Sequence, residues 1–277
     1  MEYKYGLKMR YILLTISTIL CLVVIASCIS LPIRVDQNHL IPHPGNRQVC
    51  KKKPIVIAII DTGFGVSTMN LKVKLCKFGH KDFTNGERLF EHDTKNAVPV
   101  DNHGHGTHIA GIIDSYGQKA NVNYCLVIIK YYVPNAYDVD NLTRTILAVD
   151  YAKNIKADYI NYSGGGALKS DEEIRAVKEY LDQGGKFLAA AGNEGSNLDW
   201  RHFYPAQDDS RVISVGAVDD KGVRLPMSNY GEDVKRTELG LNVKVCDGTK
   251  CMTMSGTSQA TAIATGKLLA QEKNTCN

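Results

Sequence analysis

Residues 55–63 read IVIAIIDTG, an unbroken apolar run that ends in Asp61, Thr62 and Gly63. A continuous apolar run of this length, without the alternation of a half-exposed strand, is typical of a central strand in a parallel sheet. Reactive groups collect at the carboxyl ends of such strands. Asp61 is therefore a candidate site residue.

Four further apolar runs have the same character: CLVII at 125–129, DYINYS at 158–163, KFLAAA at 186–191 and VISVGAV at 212–218. Helical patterns lie between them, roughly over 141–155 and from Ser170 to Gly184, where Ser170 and Glu173 have the spacing of a capping box. Alternating strands and helices predict an α/β fold with three layers, in which helices cover both faces of a mostly parallel central sheet.

The composition is that of a globular protein without a polyanionic partner. Of 277 residues, 44% are hydrophobic and 22% are charged, and the net charge is +4. Residues 1–27 carry three of the basic residues and one acidic residue, so the remainder has a charge near +2. A balance so close to neutral does not favour binding to nucleic acid.

The N-terminus has the organisation of an export signal. Lys4, Lys8 and Arg10 precede an apolar stretch over 11–26, which is shorter than the ~20 residues that a spanning helix needs. Residues 25–28, IASC, resemble the lipobox of bacterial lipoproteins, which implies lipidation of Cys28.

The predicted localisation is therefore extracytoplasmic, with the protein tethered by lipid to the outer membrane or cell surface. A secreted protein with a simple cleaved signal is the alternative. The domain boundaries that we predict are a signal peptide at 1–27, a proline-rich tether at 28–53 and a folded domain at 54–277.

Six cysteines lie in the body of the chain, and an even number in an exported protein permits disulfides. Cys246 and Cys251 flank Asp247 and Gly248, a hairpin-turn signal, so this pair is the best candidate for a bridge. The remaining four, at 50, 76, 125 and 276, can pair in three ways. No cysteine and histidine spacing is typical of a zinc site, and we expect no metal and no cofactor.

A second site candidate lies in residues 254–270, MSGTSQATAIATGKLLA. The small and apolar residues after Ser258 recur at helical spacing, which places this serine in the first turn of a helix. There its hydroxyl and its backbone N–H lie at the positive end of the helix dipole, where an oxyanion is stabilised. Ser258 is a candidate nucleophile, although a simple N-cap is the alternative for an isolated Gly-Thr-Ser.

His105, in DNHGHGTHIAG at 101–111, supplies the base that a serine nucleophile requires. A serine hydroxyl attacks well only if an imidazole takes its proton, and a buried carboxylate must orient that imidazole. The order Asp61, His105, Ser258 is the one known for subtilisin.

With three further motifs between His105 and Ser258, the chain resembles the subtilisin-like serine proteases, or subtilases, from about Ile55 to Leu269. These motifs are INYSGGG at 160–166, AAAGNEG at 189–195, and YPA at 204–206 followed by VISVGAVD and SNYG.

The resemblance implies roles for further residues. Asn193 would donate its side-chain amide to the oxyanion together with the backbone N–H of Ser258. Ser163, Gly164 and Gly165 would present their backbone to an extended peptide and line the primary pocket. Glycines at this place are expected to leave room for a sizeable substrate side chain.

Other interpretations of single motifs have less support. Asp61-Thr62-Gly63 is also found in aspartic proteases, but no second matching aspartate is present. His103 and His108 could suggest a metal site with His105, but the acidic partner is missing, so we expect His103 at the surface and His108 in the core.

The chain also departs from the family pattern. Residues 259–263 lack the methionine, proline and histidine that usually follow the serine, and 117–121 leave no space for the usual calcium loop. We also expect 28–54 to be too short for a folded propeptide.

The sequence therefore predicts a serine endopeptidase that acts on proteins or peptides, without nucleic acid, as a monomer. A catalytically silent subtilase fold that binds peptides in the same cleft is the main alternative. A processing enzyme with one client is a third.

Overall fold

The computed structural model describes residues 53–67, 69–85 and 97–272. The predicted signal peptide, Cys28, most of the tether, Cys50 and Cys276 lie outside these residues. Among the described residues, no helix has the length and the apolar character required to cross a membrane.

A sheet of seven parallel strands forms the centre of the domain, in the order β2-β3-β1-β4-β5-β6-β7. Its strands are β1 (Ile55–Asp61), β2 (Lys81–Asp82), β3 (Tyr124–Lys130), β4 (Tyr159–Tyr162), β5 (Lys186–Ala190), β6 (Ile213–Val218) and β7 (Arg236–Leu239). An antiparallel hairpin follows, with β8 (Val243–Cys246) and β9 (Cys251–Met254). The helices are α1 (His105–Lys119), α2 (Asp138–Asn154), α3 (Asp171–Asp182) and α4 (Thr257–Ala270).

Helices cover both faces of this sheet, as the continuous apolar run of β1 predicts. Ile55, Ile57 and Ile59 pack into one core with α1 and α4, while the alternate side chains of β1 are buried on the other face. On that second face Phe187 of β5 lies between Tyr162 of β4 and Tyr180 of α3, with ring centroids 6.4 and 6.1 Å away. The three-layer α/β fold is confirmed.

The five strands predicted from apolar runs are present, with ends that differ by at most two residues. α2 begins at Asp138, earlier than the apolar pattern indicates, because Asp138 and Asp140 favour the positive end of a helix. β2 and β7 were not predicted. Both are short edge strands without an apolar run.

Two disulfides connect described residues. Cys246 and Cys251 close the β8–β9 hairpin, which confirms the predicted pair. The second bridge joins Cys76 to Cys125 in β3, across 49 residues of sequence. The sequence alone could not select this bridge from the three possible pairings. The fold selects it, because residue 76 lies next to β3 only in the assembled sheet.

Candidate active site

Asp61 is the last residue of β1 and is only 2% exposed. Its Oδ1 accepts a hydrogen bond from the backbone N–H of Thr62 at 2.7 Å and lies 2.8 Å from Nδ1 of His105. Its Oδ2 has no hydrogen-bond partner among the described residues. The carboxylate is therefore held in one orientation and is withdrawn from water.

His105 is the first residue of α1, and 22% of its side chain is exposed. Because the Asp61 carboxylate can only accept, Nδ1 carries the proton, and the neutral ring has its free lone pair on Nε2. Burial by itself lowers the pKa of His105, but the Asp61 carboxylate outweighs it and raises the pKa above 6.5. The ring is thus oriented and made more basic by one contact.

Asp101 joins the two motifs, and sequence reasoning missed this role. Its carboxylate accepts from the Thr62 hydroxyl at 2.9 Å, from the Gly104 N–H at 2.8 Å and from the Thr107 N–H at 2.9 Å. The Thr62 hydroxyl in turn accepts from the N–H of Gly106 at 2.9 Å. Burial would raise the pKa of Asp101, but hydrogen bonds from the Thr107 hydroxyl and from the backbone N–H groups of Gly104, Thr107 and His103 lower it. Asp101 therefore fixes the start of α1, and with it His105, against the end of β1.

Ser258 is the second residue of α4 and is 8% exposed. Its hydroxyl donates to the carbonyl of Ser163 at 2.9 Å, and the Ser163 hydroxyl donates to the carbonyl of Ser258 at 3.1 Å. Both residues belong to the described part of the chain, and no hydrogen bond joins the Ser258 hydroxyl to His105. The backbone N–H of Ser258 lies in the first helical turn, where such groups have no partner within the helix.

The register of the sheet brings these groups together. β1 and β4 are neighbours, with Ile60 opposite Tyr162, so Asp61 and Ser163 lie side by side at the carboxyl edge. Asp61 holds His105, and Ser163 holds Ser258.

Asn193 lies in the exposed loop after β5 and contacts the start of α4. Its Oδ1 accepts from the backbone N–H of Thr257 at 2.9 Å and from the Thr257 hydroxyl at 3.0 Å. Since the Thr257 N–H can only donate, the oxygen of the amide must face Thr257. The amide nitrogen has no partner among the described residues and is free to donate next to Ser258.

The ring of Phe203 lies beside the glycines of the predicted primary pocket. Gly165 has a φ of 151°, and a Cβ added there would lie 2.2 Å from the ring of Phe203. A Cβ on Gly192, next to Asn193, would lie 3.1 Å from the same ring. The ring of Phe203 therefore narrows the space between Gly165 and Gly192, so a smaller substrate side chain is expected there than the glycines alone indicate.

Replacing Phe203 with alanine is expected to widen this space. Small residues before the scissile bond should be preferred by the unchanged protein, and the Phe203→Ala variant should gain activity about tenfold or more on substrates with phenylalanine there, since apolar burial supplies the binding. The measurement is kcat/KM on paired peptides with alanine or phenylalanine, with the exposed Trp200→Ala as control. Equal ratios in both variants would contradict the assignment.

His103 and His108 lie where the sequence predicts them. His103 is exposed, and His108 is fully buried with its Nε2 3.1 Å from the Val243 carbonyl. Within the described ranges, no group of three or more His, Cys, Asp or Glu side chains is arranged to hold a metal ion.

With this geometry established, the sequence model of the subtilase family, peptidase family S8, matches residues 52–274. The chain belongs to the subtilase family. It is 32% identical to subtilisin DY of Bacillus licheniformis over 219 residues, which cover 76% of this chain and 74% of that protein.

Solved structures of similar proteins agree with the fold of this subtilase. A cold adapted subtilisin-like serine proteinase has 26% identity and a TM-score of 0.59, with 79% of this chain and 76% of that one covered. A lanthipeptide protease has 22% identity and a TM-score of 0.62, with 78% and 72% covered, and shows likeness of fold.

Proposed function

We propose that this subtilase is a serine endopeptidase that hydrolyses peptide bonds through an acyl-enzyme. The observation that carries the proposal is the 2.8 Å contact between buried Asp61 and Nδ1 of His105, because it leaves Nε2 free to act as a base. Ser258 lies over the neighbouring strand end, at the N-terminus of a helix, which is where a nucleophile and an oxyanion donor are needed.

The reaction begins with a rotation of the Ser258 hydroxyl from the Ser163 carbonyl towards Nε2 of His105. Oγ then attacks the peptide carbonyl while its proton moves to Nε2, and Asp61 stabilises the imidazolium that forms. The backbone N–H of Ser258 and the amide of Asn193 donate to the oxyanion. His105 then protonates the leaving amine. In the second half of the reaction His105 takes a proton from water, which attacks the acyl carbonyl, and then returns that proton to Oγ of Ser258 as the acyl group leaves.

The substrate would lie extended along the segment 163–166, the substrate segment, and pair with its backbone. β4 ends at Tyr162, so the residues that follow are not engaged in the ladder with β5. The segment is held on its other side, because the N–H of Gly166 donates to the Tyr204 carbonyl at 2.9 Å. A side chain at Gly164 would also collide with the Tyr131 hydroxyl, at 2.4 Å. These contacts keep the segment in one conformation.

One observation favours a second candidate, a fold that binds peptides without cleaving them. The Ser258 hydroxyl donates to Ser163 and not to His105. A serine locked in this position would not be activated.

Labelling with a fluorophosphonate separates the two candidates, because the probe reacts only with an activated serine. The full chain should be labelled, whereas Ser258→Ala and His105→Ala should not. A folded, unlabelled protein would favour the peptide-binding candidate. A digest of a peptide library then distinguishes a broad endopeptidase from a processing enzyme with one client.

Removing the proposed oxyanion donor should reduce turnover without a comparable change in binding. Asn193→Ala is expected to lower kcat by about 100- to 1000-fold, a scale known from subtilisin, because the lost hydrogen bond forms fully only in the transition state. Steady-state kinetics give kcat and KM separately, and Asn197→Ala in the same loop is the control. An unchanged kcat would remove Asn193 from the mechanism.

Export and lipid attachment at Cys28 remain predictions, as do the monomeric state and the membrane tether. Mass spectrometry of the mature N-terminus tests lipidation. An unmodified residue at Cys28 would contradict it.

A further inference from the structure

A cavity of about 460 Å³ borders the substrate segment at Gly165 and Gly166. Its other walls include Tyr131 and Tyr132 after β3, Thr145 of α2, and Glu173 of α3. None of Asp61, His105 and Ser258 lines it. The cavity is therefore placed to receive a side chain of a bound peptide away from the bond that is cleaved.

Glu173 is the unusual residue of this cavity. It is only 2% exposed, and its Oε2 has no hydrogen-bond partner in the part of the chain that the structure describes. Only one half of the predicted capping box forms, in which the Ser170 hydroxyl accepts a hydrogen bond from the Glu173 N–H at 3.2 Å. The same hydroxyl donates to the side chain of Glu172 at 3.0 Å, and not to that of Glu173. The Glu172 side chain is exposed, and that of Glu173 points inward. A buried carboxyl group without a partner is costly unless a ligand completes it.

No counter-ion is paired with Glu173 among the described residues, although Arg201 also lines the cavity. The charged group that acts on Glu173 is Asp208, and both carboxylate oxygens of Asp208 also lack hydrogen-bond partners within residues 53–67, 69–85 and 97–272. Burial, and then Asp208, raise the pKa of Glu173 to about 8. Burial, and then Asp209, raise the pKa of Asp208 to about 7, against a smaller lowering by Lys169. Within the described part of the chain, no lysine or arginine forms an ion pair with Glu173 or Asp208.

The walls suit a long basic side chain in other respects. Tyr131, Tyr132 and Tyr162 contribute aromatic surface, along which the aliphatic stem of a lysine or arginine can pack. The Tyr162 hydroxyl is already engaged with Thr145 at 2.9 Å, which fixes this wall. An apolar side chain would leave the carboxyl group of Glu173 without a partner, whereas a basic one would pair with it.

We propose that this cavity binds a lysine or arginine side chain of the substrate, with Glu173 as the counter-ion. The inference rests on the proposed function, because it takes 163–166 as the segment that binds the peptide. It deepens that function by assigning a basic residue to the substrate, a few positions from the scissile bond.

The test compares arginine with citrulline, its neutral isostere, at each position of a peptide series. For the full chain, kcat/KM should favour arginine about tenfold or more at one position, as expected for a hydrogen-bonded ion pair. Glu173→Gln should abolish that preference, so that the arginine and citrulline peptides have equal kcat/KM values. Glu172→Gln, a change in the adjacent exposed glutamate, is the matched control and should keep the preference.

A binding measurement separates this inference from the proposed function. In Ser258→Ala the same peptides are not cleaved, and their Kd values should show the same preference for arginine. Such a preference in a protein that does not react with the fluorophosphonate would support the cavity and contradict the endopeptidase. Equal binding of arginine and citrulline peptides, or no binding of either, would overturn the cavity assignment whether or not the protein cleaves peptides. A preference that persists in Glu173→Gln would overturn it as well.

Discussion

Replacing Ser258 with alanine is expected to lower kcat for peptide hydrolysis by on the order of a million-fold, a scale known from subtilisin. The reason is that the remaining groups can bind the peptide and stabilise an oxyanion, but no side chain is left to form the acyl-enzyme. The measurement is single-turnover hydrolysis of a fluorogenic peptide at saturating enzyme.

Ser255→Ala is the matched control for this prediction. Ser255 precedes the same helix, is exposed and accepts a hydrogen bond from the Asn242 N–H at 2.8 Å, outside the proposed machinery. It should retain most of the activity. If Ser258→Ala kept measurable turnover while Ser255→Ala lost it, the nucleophile would be misassigned.

Replacing Asp61 with asparagine should reduce kcat by about 10⁴-fold, by analogy with other serine proteases. An amide at this place can donate its N–H to Nδ1 of His105, which would stabilise the tautomer with its proton on Nε2. That tautomer cannot accept the proton of Ser258. The contact between residue 61 and Nδ1 of His105 would keep nearly the same geometry, but it would favour the tautomer of His105 that cannot act as a base.

The pH profile gives a second measure of the same change. Burial lowers the pKa of His105 and Asp61 raises it, with a net increase above 6.5. Activity needs the neutral ring, so the unchanged protein should lose activity as the pH falls through this raised pKa. In Asp61→Asn the carboxylate that raises the pKa of His105 is gone, whereas burial still lowers it. The acid limb of the residual activity should therefore move to lower pH.

Asp140→Asn, an exposed change at the start of α2, should leave the position of that limb unchanged. If the acid limb of the pH profile lay at the same pH in Asp61→Asn as in the unchanged protein, Asp61 would not act on His105.

The central features of the fold could be predicted from the sequence because they depend on local patterns. The run IVIAII can be buried on both faces only in the middle of a covered sheet, so it predicts a parallel α/β architecture without knowledge of any neighbour. The turn at Asp247-Gly248 brings Cys246 and Cys251 together over five residues. Asp61, His105, Ser258 and Asn193 could be proposed because each lies in a short motif whose order is distinctive.

The tertiary structure decided whatever depends on residues far apart in the chain. Phe203 fills the space beside Gly165 because a loop that follows β5 folds back over the substrate segment, which no local pattern indicates. The sequence also suggested a capping role for Glu173, since Ser170 stands three residues before it, and only the packing of α3 shows that its carboxyl group is buried. The sequence by itself determined the family and the sheet and allowed the reactive residues to be proposed, because each of these depends on short stretches. The tertiary structure decided which side chains line the cleft, because Phe203 and Glu173 lie far from Gly165 in sequence or face inward only once the helix is packed.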